Sequence, residues 1–168
     1  GGMTLETKIE WTDATWNPVT GCSPVSPGCA NCYAARMAKR LAGRGGYPAD
    51  EPFRVTVHRD KIEEPRKWKR PRMVFVCSMG DLFHRDVPKD FISCVYYTME
   101  QMAFWHIFQV LTKRPARMLE YLQWRYADDR IPARHIWHGV TAENQATADG
   151  RIPILLECPS AVRFASVE

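Results

Sequence analysis

Three cysteines crowd into one segment, Thr20-Gly21-Cys22-Ser23-Pro24-Val25-Ser26-Pro27-Gly28-Cys29-Ala30-Asn31-Cys32-Tyr33, with the spacing C-x6-C-x2-C. Two prolines and two glycines let such a loop wrap its thiolates around a compact centre. Cys29 and Cys32, two residues apart at the expected start of a helix, can point at one locus, and the helix N-terminus favours the thiolate form. Three thiolates are one fewer than a closed zinc site needs and one fewer than the usual complement of a [4Fe–4S] cluster. A cluster on Cys22, Cys29 and Cys32 keeps one iron open to a substrate or cofactor. The competing reading is a zinc site completed by His58, His84, His106, His135, His138 or one of the scattered cysteines. A disulfide set is disfavoured, because no secretory signal precedes a chain long enough for a real core. Cys77, Cys94 and Cys158 lie in apolar runs and read as buried thiols of a reduced protein.

The chain has 168 residues, 45% hydrophobic and 25% charged. That composition excludes disorder over most of the length, and no apolar run reaches the roughly 18 residues of a membrane helix. The length suits one domain. Gly1-Gly2 ahead of Met3 reads as a cloning scar, leaving 3–168 as a single domain. A net charge of +4 permits a polyanionic partner.

Apolar runs begin at Met73, Ile107, Ile136 and Val162, so their starts are 26–34 residues apart. Each is a candidate strand buried on both faces, as in a parallel sheet. Helices are expected over 88–104 and 115–126, with a weaker one over 144–157 because Gly150 and Pro153 interrupt it. Upstream, 4–12 reads as a strand, 15–27 as a loop, 30–41 as a helix and 53–58 as a short strand. This is a β–α repeat with five or six strands. A complete (β/α)8 barrel needs about 250 residues, so the expected fold is a partial parallel (β/α) barrel, possibly truncated at its C-terminus.

The triad behind a first strand, with β–α units following, resembles the radical S-adenosylmethionine superfamily, although the x6 gap departs from that superfamily's common C-x3-C-x2-C. More closely, the chain resembles a phage- and prophage-associated family of unknown function with a three-cysteine motif. The matching stretches are Ile9-Glu10-Trp11-Thr12, Thr15-Trp16-Asn17-Pro18, the Cys22–Tyr33 loop, Ser78-Met79-Gly80-Asp81-Leu82-Phe83-His84, Leu111-Thr112-Lys113-Arg114-Pro115, Gly139-Val140-Thr141-Ala142-Glu143-Asn144 and Val162-Arg163-Phe164-Ala165-Ser166-Val167-Glu168. The resemblance implies a [4Fe–4S] cluster on Cys22, Cys29 and Cys32 and S-adenosylmethionine on its open iron. An electron from the cluster would break the sulfonium C–S bond, giving a 5′-deoxyadenosyl radical that takes a hydrogen atom from substrate. It also implies a flavodoxin- or ferredoxin-like electron donor and a cytoplasmic location, that of the host cell if the protein is phage-encoded.

In α/β barrels the working residues lie at the C-terminal ends of strands. Ser78, Gly80 and Asp81 loosely resemble the superfamily's Gly-Gly-Glu, which receives the methionyl ammonium, with the shorter Asp in place of Glu. Thr112, Lys113 and Arg114 can contact a carboxylate or phosphate. Glu143 and Asn144 can bond ribose hydroxyls, and Ser166 and Glu168 end the last strand. Each has a plainer reading, as a turn residue, a solvated loop or a helix cap. His84 reads as a structural or supporting group, and His135 and His138 as structural. The basic run Arg66-Lys67-Trp68-Lys69-Arg70-Pro71-Arg72 can neutralise phosphates and stack a base, or can be a solvated linker. The reading is a radical S-adenosylmethionine enzyme with a nucleotide or nucleic acid as its candidate substrate. The alternative is a zinc-stabilised nucleic-acid-binding module without catalysis.

Overall fold

The computed structural model describes residues 12–168. Most of the strand expected over 4–12 lies outside them. Five strands form one parallel sheet: β1 (Ala14–Trp16), β4 (Met73–Val76), β5 (Ile107–Thr112), β6 (Ile136–Ala142) and β7 (Val162–Val167), in the order β1-β4-β5-β6-β7. Helices α2 (Lys89–Tyr97), α3 (Pro115–Arg125) and α4 (Gln145–Glu157) cross between successive strands from β4 to β7. The fold is α/β, and all neighbours in the five-stranded sheet are parallel.

The segment expected as a loop over 15–27 instead contributes β1 and β2 (Val19–Thr20). β2 pairs antiparallel with β3 (Thr56–Val57), within the strand expected over 53–58. β1 is only three residues long, too short to show a period, and tertiary packing decides it. Trp16 is fully buried, its indole N–H donates to the Lys61 carbonyl at 2.6 Å, and its ring lies 5.7 Å from that of Phe108. The middle strands β4, β5 and β6 are buried on both faces, as their apolar runs require. β7 differs. Its residues alternate between half-buried and exposed, because it lies at the sheet edge.

α4 forms without a break through Gly150 and Pro153. A capping box starts it: Asn144 Oδ1 accepts from the Thr147 N–H at 2.8 Å, and Thr147 Oγ1 accepts from the Asn144 N–H at 3.1 Å. α2 ends in a wide turn over Thr98–Met102, where the Ala103 N–H reaches the Thr98 carbonyl at 2.9 Å. Cys77 and Cys158 are buried as expected; Cys94 is exposed on the outer side of α2.

The basic run 66–72 precedes β4 and sits at the N-terminal edge of the sheet. Arg66, Lys67, Lys69 and Arg70 are exposed there. Trp68 packs against the core, with the Arg72 guanidinium 5.3 Å from its ring centre and the His106 ring 5.8 Å away. A ring used in this way is not presented for base stacking.

Candidate functional site

The cysteine loop rises from the C-terminal edge of the sheet, where β2 joins the turn after β4. Gly21 makes this possible. Its φ of +87° suits glycine, and a Cβ there would meet the Arg54 carbonyl oxygen at 2.3 Å. Its N–H donates to the Met79 carbonyl at 2.9 Å, and it bridges to Gly80. Asn17 braces the same turn, its Oδ1 accepting from the Met79 N–H at 2.9 Å and from Ser78 Oγ at 3.3 Å. Ser78 and Gly80 thus position the root of the loop.

The loop then folds into a single 3-10 turn over Pro27–Asn31, followed by α1 (Tyr33–Arg40). Cys29 lies in the turn and Cys32 caps α1. Cys22, Cys29 and Cys32 are all reduced and partly exposed.

Polar groups from three strand ends meet this loop. After β4 comes Asp81, 5% exposed. Its carboxylate accepts from Thr112 Oγ1 at 2.8 and 2.9 Å, from the Lys113 N–H at 3.1 Å and from the Phe83 N–H at 2.9 Å. It also pairs with Arg114 at 3.5 Å. Arg114, at the end of β5, points its fork at the loop: Nη1 lies 3.0 Å from Cys22 Sγ, and Nη2 donates to the Ser23 carbonyl at 2.9 Å. Lys113 Nζ lies 3.0 Å from Glu143 Oε1 and 3.9 Å from Cys29 Sγ. Glu143, after β6, also accepts from Ser26 Oγ at 2.9 Å and from Arg151 Nη1 at 3.1 Å. Gly28 is what admits it, since a Cβ there would lie 2.6 Å from the Glu143 side chain.

The strand-end residues therefore converge on the cysteine loop. Asp81, Thr112, Lys113 and Glu143 are joined in one network, while Asn144 is committed to capping α4. Ser166 is half-buried in β7. Glu168 is exposed beyond it, its N–H bonded to the Ala142 carbonyl at 3.0 Å and its charge felt at Lys113. Sequence reasoning missed Ser23, Ser26, Asn17 and Arg151 as parts of this arrangement. Ser23 and Ser26 lie between the cysteines and were open to inspection. Arg151 carried no signal, because only the packing of α4 brings it to Glu143.

His84 is 2% exposed and supports the loop through Ser23 Oγ at 2.6 Å. The Asp86 N–H donates to its Nδ1 at 3.0 Å, so the proton sits on Nε2 and the ring is neutral. Burial, reinforced by the Arg114 charge, lowers its pKa in keeping with that state. The other histidines are also engaged. His58 bonds Thr20, His106 lies between the Arg72 N–H and the Pro65 carbonyl, His135 meets the Met99 carbonyl, and His138 bridges Tyr96 and Ser160. Burial and the nearby Arg163 push His138 down to about 3. None is a spare nitrogen ligand beside the cysteines.

Among the described residues, no three His, Cys, Asp or Glu side chains stand close enough to grip a metal ion as they are. In donor chemistry the loop still fits an iron–sulfur cluster: it presents three reduced, accessible thiols, two of them faced by cations. Burial raises the Cys22 thiol, against the lowering effect of Arg114. At Cys29 partial burial is outweighed by hydrogen bonds from the 25–26 segment and by the Lys113 charge, and the thiol is lowered.

Glu143 supplies a pH-dependent tie. Burial alone would raise its carboxyl, but the Lys113 and Ser26 hydrogen bonds and the Arg151 charge push it down to about 2. A carboxyl depressed on folding stabilises the protein above its unfolded pKa and ceases to do so as pH falls through its folded pKa. The wild-type chain is thus expected to exceed Glu143→Gln in stability by on the order of 3 kcal/mol at neutral pH. The gap should close between about pH 4.5 and pH 2. Paired denaturant titrations across that range check it, and a gap independent of pH contradicts it.

These features define a mostly parallel α/β protein with a three-cysteine loop clamped over the C-terminal ends of its strands. The chain belongs to the family described as protein of unknown function (DUF5131), whose model matches residues 6–168. No curated protein matches it. Among solved structures it is similar in fold to a cysteine-to-serine mutant of spore photoproduct lyase, at 13% identity and a TM-score of 0.60, over 99% of this chain and 48% of that one. It is likewise similar to spore photoproduct lyase complexed with a dinucleoside spore photoproduct, at 11% identity and a TM-score of 0.57, over 98% and 47%. The chain spans about half the length of these structures.

Proposed function

We propose that this chain is a radical S-adenosylmethionine protein, holding a [4Fe–4S] cluster on Cys22, Cys29 and Cys32 and acting on a nucleotide or nucleic acid. The observation that carries this reading is the convergence of a three-thiol loop with charged groups from three strand ends. Cys22, Cys29 and Cys32 would hold the cluster, and the chemistry it would supply is one-electron reductive cleavage of the sulfonium C–S bond of S-adenosylmethionine.

The chain's own residues hold and neutralise the site. Arg114 and Lys113 place positive charge against Cys22 and Cys29 and offset the negative charge that thiolates concentrate there. Asp81 does not stand open to receive an ammonium group. It is saturated by four donors and acts as the anchor of Arg114 and of the β5 end. Glu143 ties the loop to β6 and α4 through Ser26 and Arg151. Thr112 Oγ1 accepts from the Arg114 N–H at the end of β5, and Ser78 holds the Asn17 side chain that braces the turn after β4. The five parallel strands suit part of a (β/α) barrel, with Glu168 at the rim on its open side. The fold likeness to a lyase solved with a dinucleoside photoproduct supports a substrate of nucleic-acid type. The zinc-module alternative is not favoured: four histidines are engaged away from the loop, and His84 Nε2 is committed to Ser23 Oγ.

The experiment is anaerobic reconstitution with iron and sulfide, followed by S-adenosylmethionine and a strong reductant, with chromatography for 5′-deoxyadenosine. The reading predicts that product in iron-loaded protein. A fully iron-loaded preparation that makes none contradicts it.

A further inference from the structure

Beside the cysteine loop, the start of α3 and the middle of α4 flank an open, shallow groove. Five of its lining side chains are cationic, namely Arg85, Lys113, Arg114, Arg117 and Arg151, and no described carboxylate lines it. Three carboxylates pair with these cations from behind. Glu143 takes Lys113 and Arg151, Asp81 takes Arg114, and Asp86 takes Arg85. Among the described residues Arg117 has no carboxylate partner. Its guanidinium is fixed by the His84 and Val87 carbonyls. Five cations against these three carboxylates and the more distant Glu168, whose charge is felt at Lys113, leave a net positive wall. The first turn of α3 faces the same space and adds the positive end of its dipole. Arg85 stands exposed at the rim, while Arg114, Arg117 and Arg151 have donors engaged behind the lining, so the groove offers a phosphate a positive field with one open guanidinium.

We propose that this groove binds the phosphodiester backbone of a nucleic-acid strand and holds it next to the cysteine loop. The reason for a strand to be there rests on the function proposed above, but its binding is measurable without iron or S-adenosylmethionine. The basic run 66–72 cannot serve this purpose, because it lies at the opposite edge of the sheet.

Gly150 offers a clean probe. It lies in the wall of the groove within α4, and a Cβ added there meets nothing within 4 Å. Alanine in a helix interior is also more favourable than glycine by roughly 1 kcal/mol, so neither Gly150→Ala nor Gly150→Asp threatens the fold. The measurement is fluorescence anisotropy of a short labelled single-stranded DNA, titrated with each protein over a range of salt. Gly150→Asp should weaken binding about tenfold or more, since it sets a carboxylate against phosphate. Arg85→Gln should lower the slope of log affinity against log salt by about 1. Gly150→Ala should bind like wild type.

Wild-type protein that does not bind, Gly150→Asp binding like wild type, or equal weakening by both Gly150 variants would each overturn the proposal. So would weakening seen only when Lys67, Lys69 and Arg70 are neutralised. Formation of 5′-deoxyadenosine, scored on the same proteins without DNA, separates the two readings. Wild-type protein that forms the product while Gly150→Asp binds DNA as well as wild type would sink the groove alone, and wild-type protein that forms no product while the groove binds as expected would sink the cluster alone.

Discussion

Cys29→Ala is expected to bring 5′-deoxyadenosine formation to background and to leave the reconstituted protein short of iron. With two thiolates the loop cannot hold a four-iron cluster that normally takes four cysteines and here has three. Cys29 is the member of the triad faced by Lys113 at 3.9 Å and by Ser26 Oγ at 3.8 Å, and it sits in the tight turn that shapes the loop. The paired control is Cys94→Ala, on the exposed side of α2 and away from the loop. That variant should keep both the iron and the product. Product persisting in Cys29→Ala would contradict the assignment of the ligands, and its loss in Cys94→Ala as well would point to general damage by thiol substitution.

Asp81→Ala should produce the second large effect, this time on stability. Removing the carboxylate strips partners from Thr112 Oγ1 and from two backbone N–H groups, and it leaves the Arg114 charge half-buried without its ion pair. Breaking one side of a buried pair typically costs about 3–5 kcal/mol, which for a chain of this size lowers the melting temperature by roughly 10 °C. Asp81→Asn keeps the shape and some acceptor capacity, so it should lose less. Thermal unfolding of the two variants, compared with wild type, tests this. A loss under about 1 kcal/mol for Asp81→Ala would place it with exposed ion pairs and would remove the carboxylate as anchor of the β5 end.

The strand ends were legible in the sequence because each apolar run stopped abruptly at a polar cluster. A strand buried on both faces shows that edge clearly, and the bounds of β5 agree with its run from Ile107 to Thr112. Shorter elements were not legible. β1 has three residues, and Trp16 becomes a strand residue only because Phe108 and the Lys61 carbonyl receive it. α4, expected as a weak helix over 144–157, does form over Gln145–Glu157, but the reciprocal Asn144–Thr147 bonds that start it were not legible. The same bonds take Asn144 from a ribose contact to a cap.

The strand-end rule pointed to residues that the structure gathers around the three-cysteine loop. What it could not show was that Asp81 and Glu143 face inward as clamps, since a carboxylate's partners depend on which backbone amides and cations the fold brings to it. Trp68 misled for a related reason. Its basic neighbours suggest a nucleic-acid surface, while its ring is held by Arg72 and His106 on the far edge of the sheet.

The most direct test of the central claim is the electron paramagnetic resonance spectrum of the anaerobically reconstituted, reduced protein before and after addition of S-adenosylmethionine. On the proposed reading three sulfur ligands from the loop would leave one iron free to take the added cofactor, so the cluster signal should be present and should change its shape on addition. A protein that takes up a single zinc ion and no iron, or a cluster signal that the cofactor leaves untouched, would contradict the account.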